Sequence, residues 1–211
     1  MTTLQTASFK DIFEKAIRKT KLDNQRETLL QNIANKIATT LNKEKEVNIN
    51  FICTHNSRRS QFSQVWAYYA MEYYGITSAN SFSSGTAETA FHPNTIKALE
   101  SCGFKFSLEE FNHTNPKYII NYTGAKKEIL GFSKLVENPI NQGPFIAITT
   151  CGHADQNCPV ILEASARFHL PYVDPKASDG TKNEKETYLN TSKLIAGEMG
   201  ILFKKVKDQL I

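Results

Sequence analysis

The sequence predicts an α/β fold: an open parallel four-stranded sheet with helices on both faces, a helical extension ahead of it and an inserted β-hairpin within it. Two observations lead there. Short runs of strand character alternate with longer stretches of helical periodicity, the arrangement that builds a parallel sheet with crossover helices. Three of those short runs end at or just before Cys53, Cys151 and Asp174, and in open parallel sheets the groups that bind and react gather beyond the carboxyl ends of the strands.

Taken in order, residues 8–43 form two helices. Phe9, Ile12, Phe13 and Ile17 recur at helical spacing, and after a break near Lys21, Leu22 and Asp23 so do Leu29, Leu30, Ile33, Ile37 and Leu41. The charged run Lys43-Glu44-Lys45-Glu46 closes this extension, 1–46. A main domain, 47–211, opens on the alternating strand Val47 to Ile52, which runs straight into Cys53. A helix follows from Ser60 to Tyr74, ended by Gly75; a short strand from Asn80 to Ser83 stops at Ser84-Gly85; another helix spans Pro93 to Ser101. Tyr118 to Tyr122 and Ile129 to Val136 flank Thr123-Gly124-Ala125-Lys126 as the two arms of the hairpin. Phe145 to Thr149 is a continuous apolar strand leading to Cys151, Pro171 to Val173 is a short one ending at Asp174, and Glu184 to Leu210 is a long amphipathic helix.

With 211 residues and 40% hydrophobic content the chain is long enough to bury a core. Its apolar runs fall far below the roughly 20 residues of a membrane span and no basic-then-apolar leader opens it, so a cytoplasmic protein without a membrane partner is expected. The net charge of +4 is scattered among acidic residues with no cationic stripe and interleaved aromatics, which argues against a nucleic-acid partner. Four cysteines are too few for a disulfide scaffold; in a reducing compartment they are catalytic, metal-binding or buried, and their spacing has to decide.

Cys53-Thr54-His55-Asn56-Ser57-Arg58-Arg59-Ser60 puts a cysteine at the end of a strand and an arginine six residues later at the start of a helix. A turn of this length can curl its backbone N–H groups around an anion, and the helix N-terminus adds a favourable dipole. Arg59 would clamp two oxygens bidentately, the same field favours the thiolate of Cys53 as a nucleophile, and Ser60 is placed to donate to that sulfur. Arg58 reads as a solvated cation at the helix start. A buried cysteine that happens to precede a basic helix start is the competing reading of the segment.

The pattern Cys53-Thr54-x-Asn56-Ser57-x-Arg59-Ser60 resembles the signature loop of the low-molecular-weight protein tyrosine phosphatase superfamily. The likeness runs from about residue 47 to the C-terminus, with Ser84-Gly85-Thr86, His92-Pro93 and Asp174-Pro175 in support. It implies Cys53 as nucleophile, Arg59 as anion clamp, Asp174 as general acid, and Asn56 and Ser60 as loop-shaping residues. Two departures stand out. The family usually has glycine where His55 stands, which here requires either a strained backbone or a side chain reaching the anion, and many members have cysteine where Arg58 stands.

Cys151-Gly152-His153-Ala154-Asp155-Gln156-Asn157-Cys158-Pro159 resembles the redox segment of the thioredoxin-coupled arsenate reductase branch. That resemblance implies reduction of arsenate to arsenite by a three-thiol relay through Cys53, Cys151 and Cys158, with thioredoxin as partner and no bound cofactor. Seven residues of helix rise about 10.5 Å, whereas the Cα atoms of a disulfide lie within roughly 7 Å, so a Cys151–Cys158 bond requires this segment to loop out. Competing readings are a zinc site of Cys151, His153, Cys158 and His169, and a structural role for both cysteines as small apolar residues. Asp174 alone also reads as a turn aspartate, and His92-Pro93 reads as a helix start. At the level of the whole chain, the alternatives are a phosphatase acting on phosphotyrosine or small phosphate esters through a phosphocysteine, and an oxyanion-binding module without catalysis.

Overall fold

The computed structural model describes residues 8–157 and 161–211, so Cys158 and Pro159, like the first seven residues of the extension, lie outside the described residues. The N-terminal segment forms α1 (Phe9–Lys19) and α2 (Asn24–Glu44). Ser8 and Asp11 cap α1 reciprocally and Asp23 accepts the Arg26 N–H at the start of α2, which places the break between the helices at Lys21 to Asp23. Phe13, Leu30, Ile33 and Ile37 are fully buried in the same apolar cluster as Trp66 and Phe203. The approach of α1 to the C-terminal helix α6 (Glu184–Lys207) is close at Gly197, where a Cβ would collide with Thr20 Oγ1 and lie 2.7 Å from Ala16 O.

The main sheet comprises β1 (Val47–Cys53), β2 (Ala79–Gly85), β6 (Phe145–Thr149) and β7 (Ala164–His169), parallel throughout in the order β2-β1-β6-β7. On β1 and β6, Val47, Ile49, Phe51, Ile146 and Ile148 pack into the cluster shared with α2, α6 and α3 (Arg59–Tyr73). Ile52, Phe145 and Ala147 alternate to the opposite face and meet Val136, Cys151 and Ala154, the last of these on the short helix α5 (Gly152–Asn157). The sheet therefore carries helices on both faces. Among the described residues no helix is long and apolar enough to cross a membrane.

The structure corrects two strand assignments. The fourth strand is Ala164–His169, not Pro171 to Val173; the latter runs on beyond it, with Tyr172 N–H donating to Thr150 O at 3.1 Å. Pro171 has no N–H for a ladder, whereas β7 is an edge strand whose Ser165 and Arg167 interrupt its apolar character. The expected hairpin is a three-stranded antiparallel sheet in which β4 (Lys117–Tyr122) lies between β3 (Phe104–Glu110) and β5 (Ile129–Gly131). Phe104, Phe106 and Leu108 alternate with Lys105, Ser107 and Glu109, so the strand signal for β3 was present in the sequence. The arm expected to reach Val136 stops at Gly131 because the chain beyond it turns to the anion loop: Lys134 N–H donates to Asn56 Oδ1 at 2.9 Å, and Lys134 O accepts from Gly85 N–H at 2.8 Å.

The side chain of Lys134 is fully buried, and its Nζ finds no hydrogen-bond acceptor among the described residues, only the face of Phe132 at 4.8 Å. Burial pushes its pKa down from 10.5 to about 7. Because the folded value lies below the unfolded one, folding releases a proton between about pH 7 and 10.5, and stability rises with pH across that window. Below about pH 7 the cost of the buried charge is felt in full. Lys134→Met is therefore expected to stabilise the protein at pH 6 by a few kcal/mol, with the advantage fading as the pH approaches 10.5. Urea denaturation at several pH values measures this; a Met variant no more stable than wild type at pH 6 would show that the ammonium is compensated.

Candidate active site

The segment between β1 and α3 is shaped by where its carbonyls point. Cys53 O accepts from Thr86 N–H (3.2 Å) and Thr54 O from Ala87 N–H (2.8 Å). His55 O accepts from the hydroxyls of Thr89 (3.0 Å) and Ser133 (2.9 Å), and Asn56 O from Gln61 Nε2 (3.0 Å). Ser57 O accepts from His92 N–H (3.1 Å) and the Thr95 hydroxyl (3.3 Å). Five successive carbonyls thus turn outward, and none of the N–H groups of residues 54–58 donates to an acceptor among the described residues. A curl of free backbone donors at a helix start is the physical form of an oxyanion cradle.

Asn56 makes the curl possible. Its φ of +46° is the left-handed conformation that Asn tolerates best after glycine. Its side chain is fully buried, donating to Ser60 Oγ at 2.8 Å while accepting from Lys134 N–H. Ser60 Oγ in turn stands 3.1 Å from Cys53 Sγ. His55 lies outside the left-handed region, so its side chain imposes no such strain, and it is exposed at the surface.

The two arginines diverge. Arg59 reaches across to the segment after β7, donating from Nη1 to Tyr172 O at 3.3 Å and from Nη2 to Asp174 Oδ2 at 2.6 Å. Its Nε is buried without an acceptor among the described residues, a donor left for a ligand. Asp174, beside its Pro175, also accepts from Lys176 N–H at 3.1 Å as the cap of a 3-10 turn, Pro175–Ser178. Arg58, read as a solvated cation, instead has a side chain only 12% exposed, paired with Asp179 and Tyr188 and within electrostatic reach of Asp174. Its backbone belongs to the loop, while its guanidinium is fixed by these partners.

Cys151 lies beyond the end of β6 and is buried in the same small cluster as Cys53. Its Sγ accepts from Ala154 N–H at 3.4 Å and stands 3.4 Å from the hydroxyl of Thr54, the residue after Cys53. His153 Nδ1 approaches the same hydroxyl at 3.3 Å. The helix α5 is anchored at its middle: Asp155 Oδ1 accepts from Thr149 Oγ1 (2.8 Å) and Arg167 Nη2 (2.7 Å). Burial opposes ionisation of Asp155, yet the hydrogen bonds from Arg167 and Thr149 hold its carboxyl below the usual range. His169 is tied to Thr149 Oγ1 at 2.9 Å, and no cluster of three potential metal ligands occurs among the described residues.

No protein-family model matches the chain. The solved structure of the low-molecular-weight protein tyrosine phosphatase from T. tengcongensis is similar at a TM-score of 0.50 and 15% identity, over 78% of this chain and 100% of that one. The fold is that of the low-molecular-weight protein tyrosine phosphatases. In sequence the chain resembles curated arsenate reductases. That of Bacillus subtilis (strain 168) is 28% identical over 162 residues, 77% of this chain and 88% of the relative. That of Staphylococcus aureus (strain Newman) is 29% identical over 127 residues, 60% of this chain and 77% of the relative.

Several residues of this phosphatase-fold site were not visible in the loop motif. Tyr172 supports the Arg59 contact through its carbonyl, and its ring lies 4.9 Å beneath the guanidinium of Arg26 on α2. Arg26 is itself fixed by a two-point ion pair to Glu198 (2.9 and 2.7 Å), so the N-terminal extension braces the segment that leads into Asp174. Ser133 and Thr89 have no motif at all; only their hydroxyl character, in segments rich in turn residues, hints at a role as loop donors.

Proposed function

We propose that the chain reduces arsenate to arsenite by a relay of Cys53, Cys151 and Cys158. Arsenate sits in the cradle of residues 54–60 with Arg59 Nε and Nη2 on two of its oxygens. The Cys53 thiolate attacks arsenic while Asp174 gives a proton to the departing oxygen. The Cys151 thiolate then attacks Cys53 Sγ; the S–As bond breaks, its electron pair stays on arsenic, and arsenite leaves as a Cys53–Cys151 disulfide forms. Cys158 attacks Cys151, freeing Cys53, and a thioredoxin-type dithiol in a reducing cytoplasm returns the Cys151–Cys158 disulfide to thiols.

One observation carries this reading over simple phosphate-ester hydrolysis: a second thiol, Cys151, is buried beside the cradle and touched by Thr54. Hydrolysis by water needs only one reactive thiol. The sequence likeness to proteins named arsenate reductase supports the same reading. The test is thioredoxin- and NADPH-coupled turnover with arsenate, run beside hydrolysis of para-nitrophenyl phosphate on one preparation. Arsenate-dependent NADPH oxidation is the expected result. Ester hydrolysis with no arsenate turnover would make the chain a phosphatase, and failure of phosphate or arsenate to raise Tm would remove both readings, since a ligand of the native state must stabilise it.

A further inference from the structure

Arg58 and Arg59 hold opposite ends of one segment. Arg59 holds Asp174; Arg58 donates from Nη2 to Asp179 Oδ2 at 3.0 Å and from Nε to the Tyr188 hydroxyl at 2.7 Å, and that hydroxyl donates to Asp179 Oδ1 at 2.7 Å. His92 stacks on Tyr188 with ring centroids 5.5 Å apart, its Nε2 3.9 Å from Asp179 Oδ2. Asp179, at the end of the 3-10 turn that follows Asp174, is thereby fastened to the start of α3 and to α6, with His92 at the start of α4 (Pro93–Glu100) packed against Tyr188. Burial works against its charge, but the Tyr188 hydrogen bond and the Arg58 guanidinium outweigh that and keep the carboxyl below its ordinary range.

Anion binding loads the two ends unequally. Arg26 shows in this molecule how a guanidinium takes an oxyanion side-on, through Nε and Nη2 to the two oxygens of Glu198. At Arg59 the same pair comprises a buried, unpartnered Nε and an Nη2 already held by Asp174. Nη2 carries two N–H groups, so an anion seated in that fork takes the one beside Nε and shares Nη2 with Asp174. The other donor to Asp174 is the Lys176 N–H, a contact within its own turn that does not fasten the segment to the cradle.

We propose that Arg58, acting through Asp179 and Tyr188, is a positioning residue that keeps the Asp174 segment over the cradle while a bound anion shares Arg59 with Asp174. The kinetic part of this proposal rests on Asp174 being the general acid; the structural part does not. It gives a task to the position where the resembling family often carries cysteine.

The experiment compares Arg58→Met, Arg58→Lys and Tyr188→Phe with wild type. Hydrogen–deuterium exchange of the 172–180 segment is followed with saturating phosphate, alongside phosphate affinity and turnover. In Arg58→Met, exchange of 172–180 in the phosphate complex should quicken by tenfold or so, phosphate affinity should stay within about twofold, and kcat should fall roughly 10- to 100-fold, the lower part of the range for a displaced general acid. Arg58→Lys retains the pairing with Asp179 and should recover part of the loss; Tyr188→Phe, which removes one hydroxyl, should show a weaker form of it. Where aryl phosphates are turned over, the kcat deficit should shrink for 2,4-dinitrophenyl phosphate, whose leaving group needs no proton.

Unchanged exchange of 172–180 in phosphate-bound Arg58→Met overturns the proposal. So does a loss of phosphate affinity that accounts for the whole loss in rate, because Arg58 would then be an anion ligand. If no substrate is turned over, the exchange measurement still decides the matter, and it is the proposed function that has failed. If Arg58→Met does not fold, Tyr188→Phe carries the same comparison.

Discussion

Gly85→Ala is expected to lower kcat/KM for arsenate by roughly 10²-fold or more while the sheet stays folded. Gly85 ends β2 directly opposite Cys53 in the ladder with β1. A Cβ there would lie 2.8 Å from Thr54 O, Asn56 N and Ala87 O, all backbone atoms that cannot swing aside as a side-chain tip would. The cradle would have to retreat by several tenths of an ångström, taking with it the donors that face the anion. Near-attack geometry is sensitive on that scale, and overpacking of this kind costs about 1–3 kcal/mol in stability. Kinetics should be read beside Tm with and without phosphate: the variant should melt a few degrees lower and gain less from phosphate. Wild-type kcat/KM in this variant would mean that the cradle does not depend on the bare backbone at position 85.

The contrast between Gly85 and Cys53 marks how far the sequence can be read. Contiguous features were legible: the strand into Cys53, the helix from Arg59, and the Ser84-Gly85 stop are local patterns with local causes. Features assembled from distant segments were not. Arg58 looked solvated because its partner Asp179 lies 121 positions away, and Lys134 looked ordinary because nothing nearby in the chain foretells its burial. The fourth strand was misplaced because Ala164–His169 lacks a β-branched run and owes its existence to pairing with β6. At His55 the glycine of the resembling pattern suggested strain in the wrong place; the left-handed residue is Asn56, one position later, where the side chain also supplies hydrogen bonds that a glycine could not.

The extension was legible as two helices, but its bearing on the site was not. Apolar periodicity located Phe13, Leu30, Ile33 and Ile37, all fully buried. It carried no sign that Arg26 would leave the solvated face of α2 to pair with Glu198 and cover the Tyr172 ring. Side chains that bury a charge against a distant partner break the local pattern from which they would have to be predicted, and here they are the ones that hold the Asp174 segment from behind.

Substituting the three relay cysteines in turn should give three different arrests, and this is the largest effect the proposed chemistry entails. Cys53→Ser is expected to lose arsenate reduction by on the order of 10⁴-fold or more, since a hydroxyl is a poor nucleophile at neutral pH. The cradle donors and Arg59 remain, so phosphate should still raise its Tm. Cys151→Ser should capture arsenate on Cys53 without releasing arsenite, because no second thiolate is present to take the Cys53 sulfur. Cys158→Ser should release about one equivalent of arsenite per chain and stop as a Cys53–Cys151 disulfide, which mass spectrometry of the unreduced protein detects. Any ester hydrolysis should survive in the latter two and vanish in the first. The last step bears on α5: Gly152–Asn157 is helical, and any unwinding that a Cys151–Cys158 bond entails works against the hold of Thr149 and Arg167 on Asp155. Asp155→Asn weakens that hold and should speed formation of this disulfide in a single-turnover mass assay. Repeated turnover by Cys158→Ser with thioredoxin would remove the third thiol from the relay and with it any need for α5 to open.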